Sequence, residues 1–201
     1  MNKKGRLIVY SGPSGVGKGT VIKEAMKKDS SLVMSISATT RAPREGEEDK
    51  VNYFFITGDE FKKKIENDEM LEYAQYNGNF YGTPRDFVEK SLEQGKNVVL
   101  EIEVQGALQI REKMPEAVLI FLMPPSFEEL KERLVGRHTE TQEQIKGRLS
   151  AAEREIKEAV KYDFVVVNDK VEKAAEDIIA CVRASSFLER FNEDFIKSQQ
   201  K

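Results

Sequence analysis

The chain is short of the residues that build covalent or metal-based scaffolds. Cys181 is the only cysteine, which excludes an intramolecular disulfide and a thiolate zinc cluster and leaves packing on the last helix as its role. His138 is the only histidine; it excludes a histidine-rich metal site and reads as a surface residue near a helix end. No apolar run approaches the ~18 residues of a membrane span, and no signal-peptide pattern opens the chain. A soluble cytoplasmic protein is the expectation. An excess of one charge is missing as well. Charged residues make up 33% of the 201, yet the formal net charge is −3. That balance argues against nucleic acid or a membrane as partner. With no repeats, low-complexity segments or long linkers, one domain with inserted subdomains is expected.

What is present is organised around Gly12-Pro13-Ser14-Gly15-Val16-Gly17-Lys18-Gly19-Thr20. An apolar run, Leu7–Tyr10, precedes it, and Val21–Met26 reads as a helix after it. Strand, glycine-rich turn and helix form the context in which G-x-x-x-x-G-K denotes a phosphate-binding loop. Glycines let successive N–H groups point into one concavity, the helix start adds its unpaired donors, and Lys18 adds a full charge. Gly19 stands where a Ser or Thr usually binds magnesium, with Thr20 one place later.

Downstream, Leu32–Ser37 reads as a strand and 38–49 as a polar loop broken by Pro43 and Gly46. Tyr53–Ile56 is a strand, and Thr57-Gly58-Asp59 opens a helix to about Asn67. Met70–Tyr76 is a strand, and Asn77-Gly78 is a hairpin signal. Residues 37–82 therefore look like a small inserted α+β lobe. Thr83-Pro84 is read as capping a helix that ends near Gly95, with Pro84 at its first position. Strands at Asn97–Ile102, Ala117–Leu122 and Phe164–Val167 then alternate with helices at Val104–Lys113, from Ser126 to Arg137, from Thr141 to about Lys161, and from about Val171 to Phe195. Ser126-x-x-Glu129 and Thr141-x-x-Gln144 read as capping boxes. The nearly all-apolar Phe164–Val167 suggests a strand buried on both faces. Five such strands interleaved with helices predict an α/β, three-layer P-loop fold with a five-stranded parallel core sheet.

Three further constellations suggest chemistry. Glu101 and Glu103 close an apolar strand and fall on one side by its period of two, which suits magnesium or substrate, although strand ends also carry solvated acids. Arg41 and Arg44 flank Pro43, with the hydroxyls of Tyr53 and Tyr81 as possible partners around one anion; the alternative is two solvated loop charges. Arg133 and Arg137 share a helix face, Arg148 follows on the next helix, and the polar segment 136–147 between them resembles a mobile lid. Pairing with Glu129, Glu132 and Glu140 is the competing reading. The guanine-reading Asn-Lys-x-Asp of GTPases is absent. A small-molecule kinase, a non-catalytic nucleotide-binding protein and a simple ATPase remain open.

Several stretches together resemble the guanylate kinase family: Gly12-Pro13-Ser14-Gly15, residues 37–47, Tyr53-Phe54-Phe55, Gly78-Asn79-Phe80-Tyr81-Gly82-Thr83 and residues 136–141. The resemblance covers about residues 5–185. It implies a single domain over 1–201, with a core at about 5–36, 84–125 and 151–201, a GMP-binding lobe at about 37–83 and a lid at about 126–150. It implies transfer of the γ-phosphoryl group of ATP to GMP, with dGMP as a further expected acceptor, giving ADP and GDP with Mg2+. By the same resemblance, Arg41, Arg44, Tyr53 and Tyr81 clamp the GMP phosphate, and Ser37, Glu72 and Thr83 surround the guanine with Glu103 near by. Lys18, Arg41, Arg133, Arg137 and Arg148 are the expected catalytic residues, Gly12–Thr20 the ATP loop, and Asn168 a candidate adenine contact. Chemistry supports Glu72 independently: guanine presents N1–H and an amine side by side, two donors one carboxylate can accept, whereas adenine opposes it with an acceptor. Glu101 is the metal candidate. The family often has aspartate at these acidic positions, so the ion is expected further out or held through water. A kinase for another nucleoside monophosphate and a non-catalytic interaction module of the same fold are the alternatives; the intact loop speaks against the module. Oligomeric state is left open.

Overall fold

The computed structural model describes residues 4–76, 78–136, 142–188 and 197. In chain order its elements are β1 (Leu7–Ser11), α1 (Lys18–Lys28), β2 (Leu32–Met34), β3 (Ala38–Thr39), β4 (Phe54–Phe55), α2 (Gly58–Glu66), β5 (Met70–Tyr76), β6 (Asn79–Pro84), α3 (Arg85–Glu93), β7 (Asn97–Glu101), α4 (Val104–Lys113), β8 (Val118–Met123), α5 (Phe127–Val135), α6 (Gln142–Lys157), β9 (Phe164–Val167) and α7 (Val171–Ser185). Five strands form a parallel sheet in the order β2-β7-β1-β8-β9, and four more form a second sheet in the order β4-β3-β6-β5. This is the predicted α/β architecture with its inserted small sheet. By contact density the chain divides into two units, residues 1–7 with 31–117 and residues 8–30 with 118–201.

In the second unit, β1 and β8 run parallel in register from Ile8 opposite Val118 to Ser11 opposite Phe121. Every residue of β1 is buried, as are all of β8 but Met123. Helices α1 and α7 pack on one another and carry a Lys28–Glu176 ion pair. Cys181 lies half-buried on α7, where burial pushes its thiol pKa up. β9 departs from expectation. It is the outer strand, and Val165 and Val167 are 50% and 48% exposed. Its apolar composition reflects β-propensity, not burial on both faces.

In the first unit, the small sheet folds around its own core. Phe61 of α2, Ala38 and Met70 are buried with Phe54, Ile56, Ile65 and Phe80 against them. Phe61 stacks on Phe80 at 5.4 Å between ring centroids. Burying one such side chain contributes about 1.5–3 kcal/mol. Thr57 caps α2 in a reciprocal capping box: its hydroxyl accepts from the Glu60 N–H, and the Glu60 carboxylate accepts from the Thr57 N–H. β5 and β6 pair antiparallel with Tyr76 opposite Asn79, and Gly78 adopts φ 79°. Asn77 lies outside the described residues.

Other boundaries shift. Thr83 does not cap α3: it is a residue of β6, Pro84 takes the N-cap position, and no side chain caps that helix. β7 ends at Glu101, and Glu103 is the exposed N-cap of α4, so the period-two argument does not extend to it. β2 and β4 are shorter than read, because neighbouring strands pair with only part of each run. Ser126 caps α5 by accepting from the Glu129 N–H, and α6 passes into a 3-10 turn at Glu158–Lys161. Arg137, His138, Thr141 and the chain after Leu188, other than Lys197, lie outside the described residues, and so do the expectations that fall there.

Candidate functional site

The loop after β1 is built to leave donors unpaired. Gly17 is the N-cap of α1 with no side chain capping it, and no acid occupies the first turn. Thr20 gives its N–H to the Gly17 carbonyl at 3.1 Å, which leaves the N–H groups of Lys18 and Gly19, with the positive end of the helix dipole, as the donors suited to an anion. Gly17 sits at φ 96°, and a Cβ there would stand 2.7 Å from Asn168 Nδ2, so both backbone angle and space demand glycine. Lys18 folds over the loop, its Nζ donating to the carbonyls of Gly12 at 2.6 Å and Pro13 at 3.4 Å.

Two residues from distant sequence brace this loop. Asn168, directly after β9, is 4% exposed, and its Nδ2 donates to the Val16 carbonyl at 2.7 Å. Arg133 on α5 donates to the carbonyls of Val16 at 3.5 Å and Asn168 at 3.0 Å and pairs with Glu129. The amide nitrogen of Asn168, the candidate adenine contact, is committed to the loop. Arg148 is half-buried on α6.

Arg41, Arg44, Tyr53 and Tyr81 lie in the first unit. Arg41 donates to Glu47 at 2.9 Å and to the Ala42 carbonyl at 2.7 Å, and lies 5.6 Å from the Tyr53 ring centroid. Burial opposes its charge, but the hydrogen bonds it donates to Glu47 and Tyr81 more than offset this and raise its pKa. Tyr53 meets Tyr81 edge to face at 6.1 Å, and burial raises the Tyr53 pKa. Arg44 is exposed, while its backbone N–H donates to Glu47 Oε2 at 2.8 Å. Of the four residues expected around one phosphate, Arg41, Tyr53 and Tyr81 thus lie together. Glu47, which joins Arg41 to the backbone of Arg44, is not among the residues the sequence singles out; its position three residues after Arg44 is the available signal.

Glu72 on β5 is 4% exposed, opposite Thr83 on β6. The Thr83 hydroxyl donates to Glu72 Oε1 at 2.7 Å. Burial raises the Glu72 pKa, opposed by the Thr83 hydrogen bond and the charge of Lys113. Ser37 is half-buried just before β3 and accepts the Phe54 N–H through its carbonyl. Glu101 is half-buried at the end of β7. Among the described residues no three Asp, Glu, His or Cys side chains gather as a metal cage, and no helix is long and apolar enough to cross a membrane.

A parallel α/β sheet with a glycine-rich loop opening a helix defines a P-loop nucleotide-binding protein. The family model described as guanylate kinase matches residues 4–185. The guanylate kinase of Halalkalibacterium halodurans is 56% identical over 182 residues, which span 90% of this chain and 89% of its own. That of Lactococcus lactis subsp. lactis is 50% identical over 197 residues, 98% of this chain and 96% of its own. The crystal structure of guanylate kinase from Anaplasma phagocytophilum superposes with a TM-score of 0.75 at 37% identity, covering 92% of this chain and 88% of that one. The chain belongs to the guanylate kinase family.

Proposed function

We propose the following division of labour for the reaction of this family, transfer of the γ-phosphoryl group of ATP to GMP or dGMP with formation of ADP and GDP. Gly12–Thr20 and Lys18 hold the β- and γ-phosphates. Lys18 exchanges its bonds to the Gly12 and Pro13 carbonyls for phosphate oxygens. Arg41, Arg44, Tyr53 and Tyr81 hold the GMP phosphate. Arg133, Arg137 and Arg148 stabilise charge on the transferred group, so catalysis consists mainly of positioning and electrostatics, with no strong general base.

The observation that carries this reading is the buried, Thr83-bonded carboxylate of Glu72. It accepts the N1–H and amine of guanine together, with Ser37 and Thr83 beside the base and Glu103 near by. A base lacking those donors leaves a desolvated charge unpaired, the kind of penalty that gives strong discrimination.

The residues fit a magnesium ion that arrives with ATP. Thr20, by way of the phosphate it contacts, and Glu101, through water, would be the residues to help hold it, since Gly19 has no hydroxyl to offer. The ion would supply positive charge to offset that of the phosphates. Thr20 is read as contacting phosphate, and Asn168 as bracing the loop near the adenine. The cytoplasm, where nucleotides are recycled, is the compartment this reading favours.

A panel of GMP, dGMP, AMP, UMP and dTMP with ATP and Mg2+ tests it. Turnover confined to the guanine nucleotides is expected. Preference for another base, or no turnover at all, would overturn the reading in favour of a different kinase or a non-catalytic module.

A further inference from the structure

Glu72 sits on an outer strand, beside a register irregularity between Met70 and Glu72, where the sheet itself restrains the backbone least. Helix α4 supplies the missing restraint. Gly106, Gln109 and Lys113 are spaced i, i+3 and i+7, which puts them on one face. Their targets are consecutive. Lys113 Nζ donates to the Leu71 carbonyl at 3.1 Å. Gln109 forms a two-bond ring with Tyr73, its Nε2 donating to the Tyr73 carbonyl at 3.0 Å and its Oε1 accepting the Tyr73 N–H at 3.4 Å. Its side-chain amide thus stands in for a neighbouring strand. Between them, Gly106 meets the carboxylate: a Cβ there would lie 2.5 Å from Glu72 Oε2 and 3.2 Å from Cδ. Only a hydrogen fits between helix backbone and carboxylate.

We propose that this face of α4 sets the base specificity of the acceptor site, with Gly106, Gln109 and Lys113 acting as positioning residues that fix the height and rotation of the Glu72 carboxylate. The proposal rests on the assignment of Glu72 to guanine. Two parallel hydrogen bonds to N1–H and the 2-amino group tolerate little displacement, whereas a base offering N1–H alone tolerates more. Loosening α4 therefore harms the paired contact first. Lys113 adds a second effect, since its charge favours the ionised carboxylate that accepts both donors.

The test is steady-state kinetics with GMP and with inosine monophosphate, which lacks the 2-amino group. The variants are Gln109→Leu, Lys113→Met and Lys113→Arg, with Glu72→Gln as reference. Gln109→Leu and Lys113→Met are expected to raise KM for GMP about tenfold with kcat and the KM for ATP nearly unchanged. They should also narrow the preference for GMP over inosine monophosphate, and Lys113→Arg should restore it. Lys113 is exposed and Gln109 half-buried, and should one variant fail to fold, the other carries the test. A GMP preference within twofold of the parent chain, or KM values for ATP and GMP rising together, overturns the proposal. If Glu72→Gln itself leaves GMP use intact, the assignment of Glu72 fails, a result distinct from an effective Glu72→Gln beside silent α4 variants.

Discussion

Thr83 donates its hydroxyl to Glu72 across 2.7 Å between adjacent strands, and both side chains are buried. A carboxylate so placed is costly to keep ionised until a ligand supplies further donors. The burial proposed to make Glu72 selective therefore also sets its response to pH and to mutation.

The KM for GMP is expected to rise on acidification. Burial holds the Glu72 pKa above the ordinary glutamate range, so protonation, which removes an acceptor for the guanine donors, begins at a higher pH than for an exposed glutamate. The KM for ATP should show no matching inflection. A pH series of both constants checks this, and a flat GMP profile down to pH 4 contradicts it.

Glu72→Gln should separate function from stability. The loss of a charge-assisted contact should lower kcat/KM for GMP on the order of 10²-fold. Stability should move the other way. For a carboxylate whose folded pKa is raised, ionisation favours the unfolded chain, so its relative stability is highest below the unfolded pKa and is lost as pH rises through the folded one. The glutamine variant should therefore have a Tm at pH 7 equal to or above that of the parent, with the difference disappearing near pH 4. Thermal melts at both pH values decide it.

Lys18→Met should lower kcat by roughly 10²–10³-fold or more while the far-UV circular dichroism stays native. Its Nζ contacts loop carbonyls that a bound phosphate would displace it from, and it makes no contribution to the core. Turnover within threefold of the parent would exclude it from phosphate stabilisation.

Gly17→Ala should weaken ATP binding and destabilise the fold by about 1–3 kcal/mol, because φ 96° is unfavourable for alanine and its Cβ would displace Asn168. Urea unfolding together with the KM for ATP measures both effects. Gly46→Ala, at φ 80° but with nothing within 4 Å of its Cβ, isolates the backbone cost alone.

What the sequence determined by itself was local. The loop, the capped start at Thr57, the strand Met70–Tyr76 and the helix Val104–Lys113 follow from turn chemistry, capping and periodicity within a few neighbouring residues. The assignment of Arg41, Arg44, Tyr53 and Tyr81 to one clamp came from the family resemblance; in the fold Arg41, Tyr53 and Tyr81 lie together and Arg44 is exposed. Tertiary structure decided what depends on partners far along the chain. Phe164–Val167 is an edge strand because, among the described residues, no further strand pairs beyond it, which its apolar composition cannot express. Thr83 bonds Glu72 instead of capping α3 because β6 continues through Pro84. Asn168 braces Val16 across 152 residues, and Lys113 reaches Leu71 across 42. Neither pairing leaves a periodic trace, since a single polar side chain needs only one well-placed carbonyl. Glu72 was legible as a residue type; the helix α4 packed against its strand was visible only once the chain had folded.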